Sequence, residues 1–290
     1  MKTRIRTAFS FFLLLALLAG VSATVAQGPE PTREDVQQAT LFQSPLPGPL
    51  NLELVGQLAG PARSVAVQGS YAYVVTGMDA ELPGLRIIDV SDPTAPYEAG
   101  FYDMPEGGQD VAVEGSYAYV AAWDSGLRII DVSDSANPSE TGSYDTPGYA
   151  AGVALAGTYA YVEDGPSGLR IIDVSDPEAP FEAGFYEMGV GGVAVMGSYA
   201  YVVDYAYPPD GGLRIIDVSD PADLSEAGFY EDEYADDVAV AGNYAYVAAG
   251  FSGLQIIDVS TPSAPTETGS YTTYPGWAYD VAVAGSYAFV

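Results

Sequence analysis

The sequence predicts an all-β protein, a β-propeller of four-stranded antiparallel blades with five complete blades and a partial sixth. Two strings recur at intervals of about 40 to 46 residues. Repeats of this length without the i, i+3, i+4, i+7 apolar spacing of helices favour propeller blades. The Ile-Ile-Asp-Val-Ser string has its aspartate at Asp89, Asp131, Asp173, Asp217 and Asp258. The Tyr-Ala-Tyr-Val string begins at Tyr71, Tyr117, Tyr159, Tyr199 and Tyr244, and a Tyr-Ala-Phe-Val copy begins at Tyr287.

One repeat divides into four predicted strands, named A to D in chain order. In the second copy they lie near residues 110–113, 117–120, 127–132 and 140–144. The short apolar string of strand A always has alanine in its middle. Innermost strands converge on the propeller axis, where only small side chains fit on the crowded side, so we expect strand A to be the inner one.

The N-terminal part of the chain differs from the repeats. Residues 1–26 combine a basic start, a short apolar stretch and small residues, which predicts a signal peptide and hence secretion or a cell-surface location. Residues 27–50 are rich in proline and predict an extended linker. Residues 51–290 form the predicted propeller, with 52–58 as a candidate strand for closing the ring. The predicted blades lie near 64–105, 110–147, 152–188, 192–230, 237–271 and, in part, 280–290.

Composition excludes several classes of function. The 290 residues contain no His and no Cys, which excludes Ser-His-Asp and Cys-His nucleophiles, zinc sites with His or Cys ligands, and disulfides. A formal charge of −30 repels phosphate backbones and anionic lipids. We therefore expect no nucleic-acid partner and, after cleavage of the signal peptide, no membrane insertion. An extracellular carbohydrate or protein ligand is the expected partner.

The repeats resemble a known family. The string Leu85-Arg86-Ile87-Ile88-Asp89 has copies that begin at Leu127, Leu169, Leu213 and Leu254, and these look like the LVIVD repeat. The second position is Arg in four copies and Gln255 in the fifth, where the family name has Val. The resemblance implies a β-propeller of exported and surface-attached bacterial and archaeal proteins. It implies no catalytic residues.

Several repeated polar residues are interpreted as scaffold. The aspartate at the end of strand C and the Asp-Pro that follows should cap the C-to-D turn, because short carboxylates accept hydrogen bonds from nearby backbone N–H groups. The repeated arginine of strand C is expected to pair with the repeated glutamate of strand D. The glutamates are Glu98, Glu140, Glu182, Glu226 and Glu267.

The loops from B to C and from D to A vary between copies and should emerge on one face of the propeller. They carry most of the aromatic residues outside the repeat positions, together with many acidic residues. Aromatic faces beside carboxylates suit a carbohydrate or a basic protein. The alternative is that the acidic loops only keep the protein soluble. The predicted ligand-binding residues are Trp123, Tyr205, Tyr207, Trp277 and Tyr279.

Three copies begin strand A with an aspartate, namely Asp110, Asp237 and Asp280. In a closed ring these carboxylates would surround the mouth of the central channel, where hard oxygen ligands favour Ca²⁺. Hydration of the channel mouth is the alternative use. No other cofactor is expected.

These observations predict an extracellular or cell-surface binding and adhesion module without catalytic activity. A carboxylate-based glycoside hydrolase of propeller fold is the alternative from another class, since such enzymes need only two acidic side chains beside the scissile bond. A structural display domain is the third interpretation.

The charge predicts a dependence of stability on salt. Removal of residues 1–26 takes away three of the nine basic residues and no acidic ones. Salt screens repulsion between like charges, so we expect the melting temperature to rise with NaCl from low to molar concentration. Thermal unfolding followed by circular dichroism measures this. A constant melting temperature would contradict the idea that self-repulsion limits stability.

Overall fold

The computed structural model describes residues 62–189, 191–204, 211–232 and 234–290. Within them, the strands form five four-stranded antiparallel sheets and one two-stranded sheet, and the helical content is a 3₁₀ turn at Gly165–Ser167. The predicted signal peptide 1–26, linker 27–50 and strand 52–58 lie outside the described residues. The all-β propeller of five blades and a partial sixth is confirmed.

Each blade contains strands A to D in chain order. The first has β1 (Ser64–Gln68), β2 (Tyr71–Thr76), β3 (Gly84–Asp89) and β4 (Tyr97–Asp103). The second has β5 (Asp110–Glu114), β6 (Tyr117–Ala121), β7 (Leu127–Asp131) and β8 (Ser139–Tyr144). The third has β9 (Gly152–Ala156), β10 (Tyr159–Glu163), β11 (Leu169–Asp173) and β12 (Phe181–Tyr186).

The remaining blades repeat the same order. The fourth has β13 (Val193–Met196), β14 (Tyr199–Asp204), β15 (Gly212–Asp217) and β16 (Ser225–Glu231). The fifth has β17 (Asp237–Ala241), β18 (Tyr244–Ala249), β19 (Gly253–Asp258) and β20 (Thr266–Tyr271). The partial sixth has β21 (Ala282–Ala284) and β22 (Tyr287–Phe289). In every four-stranded sheet the spatial order of the strands equals their order in the chain.

Strand A is the inner strand of each blade. The A strands contact one another in succession, β1 with β5, β5 with β9, β9 with β13, β13 with β17 and β17 with β21. This agrees with the small alanine in the middle of each A strand, because close approach of neighbouring inner strands leaves no room for a larger side chain.

The core lies between consecutive sheets. Ile129 in strand C of the second blade packs in a cluster with Val153 and Val162 of the third blade. The adjacent Ile130 packs in a cluster with Val75 and Ile87 of the first blade. Successive side chains of a strand point to opposite faces, so the paired isoleucines serve two different interfaces. This explains why strand C carries a continuous apolar string.

The repeated polar residues have the predicted scaffold roles. The Asp131 carboxylate accepts a hydrogen bond from the Ser133 backbone N–H at 2.8 Å, and Asp134 accepts one from Ala136 at 3.1 Å. The predicted Arg–Glu pairs form in the four blades that have the arginine. They are Arg86–Glu98, Arg128–Glu140, Arg170–Glu182 and Arg214–Glu226.

A glycine in strand D receives the C-to-D turn of the next blade. A Cβ atom on Gly142 would lie 2.1 Å from the carbonyl oxygen of Pro177, and one on Gly184 would lie 1.7 Å from that of Pro221. Gly100 and Gly228 have equivalent contacts with the blades that follow them. At Gly269, in the fifth blade, a Cβ would meet nothing within 4 Å among the described residues. The repeated glycine is therefore required by contact between blades.

These contacts predict a difference between two equivalent substitutions. Gly142→Ala should lower the free energy of unfolding by about 1 to 3 kcal/mol, because the turn carrying Pro177 must move away. Gly269→Ala is the matched control and should be neutral or slightly stabilising, since alanine lowers the entropy of the unfolded chain. Urea unfolding of both variants measures the difference. Equal effects at the two positions would contradict the role assigned to the glycine.

Candidate functional site

The loops from B to C and from D to A meet on one face of the molecule. Isolated antiparallel bridges join them at Gly77 and Gly107, at Trp123 and Ala150, and at Gly250 and Ala278. At the second of these, the Trp123 N–H donates to Ala150 O at 2.9 Å and the Ala150 N–H donates to Trp123 O at 3.0 Å. The two loop types therefore form one continuous surface, which we call the loop face.

The first aromatic pair on the loop face is Trp123 and Tyr149, from the two loops that meet at Ala150. Their rings are nearly parallel, with centroids 5.3 Å apart and an interplanar angle of 19°. Both remain partly open to solvent, Trp123 at 37% and Tyr149 at 41% of full exposure. The pair thus presents flat apolar surface to the outside. We call it the Trp123 platform.

Trp123 has an unusual backbone conformation. Its φ angle is +54°, and it is the one non-glycine residue with positive φ among the described residues. Gly250 occupies the equivalent bridge position in the fifth blade, with φ of +48°. A bulky residue in this region is strained by about 1 to 3 kcal/mol, and such strain often accompanies a functional site. The fold accepts strain at the position that carries the exposed indole.

A buried carboxylate fixes the loop that carries Tyr149. Asp164 is fully buried and accepts a hydrogen bond from the Gly148 backbone N–H at 2.7 Å. It also forms an ion pair with Arg170, at 3.7 Å between Nε and Oδ2. Gly165 lies directly against the Tyr149 ring, because a Cβ there would be 2.8 Å from Cδ2. These contacts of Asp164 and Gly165 fix the loop, and Tyr149 packs against Trp123.

A second aromatic group lies on the loop face between the fifth and sixth blades. Trp277 stacks on Tyr279 with centroids 5.7 Å apart and an interplanar angle of 23°. Phe251 and Tyr234 meet the Trp277 ring edge to face, at 4.1 Å and 6.3 Å between centroids. Phe251, Tyr234 and Tyr279 are all exposed. We call this group the Trp277 platform.

Trp277 is positioned by a carboxylate and a glycine. Its Nε1–H donates to Oδ2 of Asp236, in the loop that leads into the fifth blade. Burial raises the pKa of Asp236, and the hydrogen bond from the indole opposes that shift. A Cβ on Gly250 would lie 2.8 Å from the indole ring, so the absent side chain leaves the space that the ring fills.

The structure brings together some of the predicted ligand-binding residues. Trp277 and Tyr279 share one platform, whereas Trp123 belongs to the other. Tyr205 and Tyr207 lie outside the described residues. The set chosen from the sequence omitted Tyr149, Tyr234 and Phe251 as ligand anchors. Their position in the variable loops is the sequence signal that marks them.

Asp110, at the inner end of β5, joins three blades. Its Oδ2 accepts a hydrogen bond from the Val153 N–H of the third blade at 2.8 Å. Its Oδ1 accepts one from its own neighbour Val111 at 2.8 Å and another from the Ser64 hydroxyl of the first blade. Burial raises the pKa of this carboxyl. Asp110 thus has a structural role that sequence reasoning missed.

Asp237 has the equivalent place in the fifth blade. Its Oδ2 accepts a hydrogen bond from the Val281 N–H of the sixth blade at 3.0 Å. Burial and repulsion by Asp280 both raise its pKa well above the ordinary value. A Cβ on Gly192 would lie 2.5 Å from the Asp237 carboxylate, so the fourth blade leaves room for this side chain.

Glu163 supplies an acidic group in the third blade, where strand A begins with Gly152. The two residues are opposite each other in the β9–β10 pair. A Cβ on Gly152 would lie 2.7 Å from Glu163 Oε2, so the glutamate occupies the space that the glycine leaves at the inner end of the blade. Burial raises the pKa of Glu163 to about 9, and repulsion by Asp110 and Asp237 adds to the shift.

The predicted calcium ligands Asp110, Asp237 and Asp280 therefore lie at the inner ends of their blades. Among the described residues, no three acidic side chains are arranged to ligate one metal ion directly. Asp110 and Asp237 already accept hydrogen bonds from neighbouring blades. Direct coordination of Ca²⁺ by these three residues stays a prediction.

The repeats match a known family of repeat proteins. The LVIVD repeat model matches residues 59–104, 107–146, 147–188, 189–232, 233–273 and 275–290. The chain belongs to the LVIVD repeat family. The expected resemblance is confirmed, and each complete LVIVD match contains one of the four-stranded sheets. No curated protein matches this LVIVD chain.

Solved structures similar to the LVIVD chain agree on the fold. The computationally designed Ika8 protein matches with a TM-score of 0.60 and 7% identity, over 79% of this chain and 67% of that one. BamB from Moraxella catarrhalis matches with a TM-score of 0.53 and 15% identity, over the same two shares. At these identities the likeness concerns the fold alone. In the part of the LVIVD chain that the structure describes, no helix has the length and apolar character needed to cross a membrane.

The buried Glu163 predicts a dependence of stability on pH. Its pKa is about 9 in the folded protein against 4.5 ordinarily, so between these values the folded state holds a proton that the unfolded state has lost. Stability should therefore fall as pH rises through this range, and Glu163→Gln should remove the loss. We expect the variant to gain about 1 to 3 kcal/mol over the parent between pH 6 and 8. Chemical unfolding in EDTA measures this, and parallel pH profiles would contradict it.

Proposed function

We propose that the protein is an extracellular carbohydrate-binding module without catalytic activity, and that its ligand binds on the loop face. The observation that carries the proposal is the pair of exposed aromatic platforms around Trp123 and Trp277. Sugar rings present flat faces of C–H groups, which pack well on indole and phenol rings. The basic and apolar residues 1–26 support export.

The contrast with the scaffold tyrosines supports this assignment. Tyr73, Tyr119, Tyr161 and Tyr201 are buried between blades and serve packing. The platform rings other than Trp277 are instead exposed. Asp164 and Gly165 position Tyr149, and Asp236 and Gly250 position the partly exposed Trp277. A ring that is fixed before the ligand arrives loses little conformational freedom on binding. The platforms therefore have the properties of a preorganised binding surface.

Carboxylates near the platforms supply hydrogen-bond acceptors for hydroxyl groups. Asp124 follows Trp123 in the loop, and Asp236 accepts from the Trp277 indole. Carbohydrate sites combine an aromatic face with a few polar groups of this kind. This arrangement favours a neutral or hydroxyl-rich ligand over an anionic one.

Substitution of the two tryptophans tests the proposal. Trp123→Ala and Trp277→Ala, made separately, should weaken binding of an oligosaccharide ligand about 2- to 10-fold, the range expected for loss of one aromatic contact. Titration calorimetry against a panel of neutral and acidic oligosaccharides measures the affinity. Melting temperatures of the variants show whether the fold is intact.

Phe181→Ala is the matched control, because Phe181 is an exposed aromatic residue on strand β12 and lies away from the loop face. It should bind as the parent does. Release of reducing sugar during incubation would replace the binding role with a hydrolase. Absence of binding to any oligosaccharide, or equal weakening by the Phe181 substitution, would overturn the carbohydrate site.

A further inference from the structure

Four carboxylates lie at the inner ends of four different blades. They are Asp110, Glu163, Asp237 and Asp280, from the second, third, fifth and sixth blades, and we call them the inner carboxylates. Asp110 interacts electrostatically with Asp280, Glu163 with Asp110 and Asp237, and Asp237 with Asp280. The four groups therefore form one closed set of mutual repulsions. Among the described residues, no arginine is one of the charged groups that act on Asp110, Glu163 and Asp237.

Glu163 differs from the other members in having no protein partner. Glu163 is 9% exposed, and among the described residues its carboxylate accepts no hydrogen bond. Asp110 and Asp237, by contrast, each accept backbone N–H groups. A carboxylate that is nine-tenths buried and accepts no hydrogen bond from the protein is commonly satisfied by water or by a bound ion. Glu163 Oε2 lies in the space that Gly152 leaves, and Asp110 and Asp237 are the charged groups that act on it.

We propose that the inner carboxylates bind one hydrated divalent cation, Ca²⁺ or Mg²⁺, at the propeller axis, with Glu163 as the principal ligand. Both ions are hard and take oxygen ligands. No three acidic side chains of the described part ligate one ion directly, so water completes the coordination shell and links the ion to the more distant carboxylates. The ligands of this site are side chains other than those that form the aromatic platforms.

Such a cation would link different blades across the propeller axis. Its charge offsets repulsion between groups of the second, third, fifth and sixth blades, which are far apart in the chain. Because the inner carboxylates assemble only in the folded protein, the ion binds the folded state in preference and stabilises it by mass action. A proton on the Glu163 carboxyl would compete with the cation for this site.

Titration with CaCl₂ and MgCl₂ tests the proposal. Calorimetry at constant ionic strength and pH 8 should show saturable binding of one ion per chain, with a parallel rise in melting temperature. NaCl at matched ionic strength separates this effect from general screening of the negative charge. Glu163→Gln should weaken binding at least tenfold. Asp280→Asn, at an exposed position, provides a second variant that leaves the buried interfaces intact.

Glu178→Gln is the matched control, because Glu178 is an exposed acidic residue on the C-to-D turn of the third blade. It should bind the ion as the parent does. Two results would overturn the site: no saturable binding by the parent, or equal binding by the parent, Glu163→Gln and Asp280→Asn. A stabilisation that NaCl reproduces at equal ionic strength would also overturn it. Oligosaccharide binding by the same samples is a separate readout, so failure of the cation site leaves the loop-face proposal testable.

Discussion

Face-to-face packing of consecutive sheets is the constraint on which the rest of the structure depends. Each four-stranded sheet is too small to bury its apolar residues alone and must cover both faces with its neighbours. Strand C shows the consequence most clearly, because Ile129 and Ile130 point to opposite sides and pack against different blades. The same packing requires alanine in strand A and glycine in strand D, where the next blade approaches closely.

This constraint leaves little freedom inside the blades and much more in the loops. Substitution of a strand residue disturbs the packing between blades, whereas the loops from B to C and from D to A meet each other on one face. The variable aromatic residues are concentrated there. Trp123 illustrates the difference, since a strained backbone is accepted in a loop position where another blade has Gly250. The aromatic platforms are therefore additions to a scaffold that does not need them for its core.

At the inner ends of the blades, hydrogen bonding between blades is combined with repulsion between carboxylates. Asp110 and Asp237 stabilise contacts between blades by accepting backbone N–H groups, but they also place negative charge where the blades converge. Glu163 adds a further acid that no donor among the described residues satisfies. Such repulsion is relieved by protonation or by a bound cation. The acidic centre thus follows from the same convergence that requires small residues in strand A.

The sequence by itself determined the features that lie within one repeat. The strand pattern, the Asp turn caps and the Arg–Glu pair of strands C and D recur in each copy, and their partners are few residues apart, so periodicity predicts them. Only the tertiary structure decided which residues of different repeats meet. The stacking of Trp123 on Tyr149 depends on how two loops cross, and the place of Glu163 depends on Gly152 being its cross-strand neighbour. These contacts arise from the relative placement of strands and loops, which a repeat pattern read along one chain does not specify.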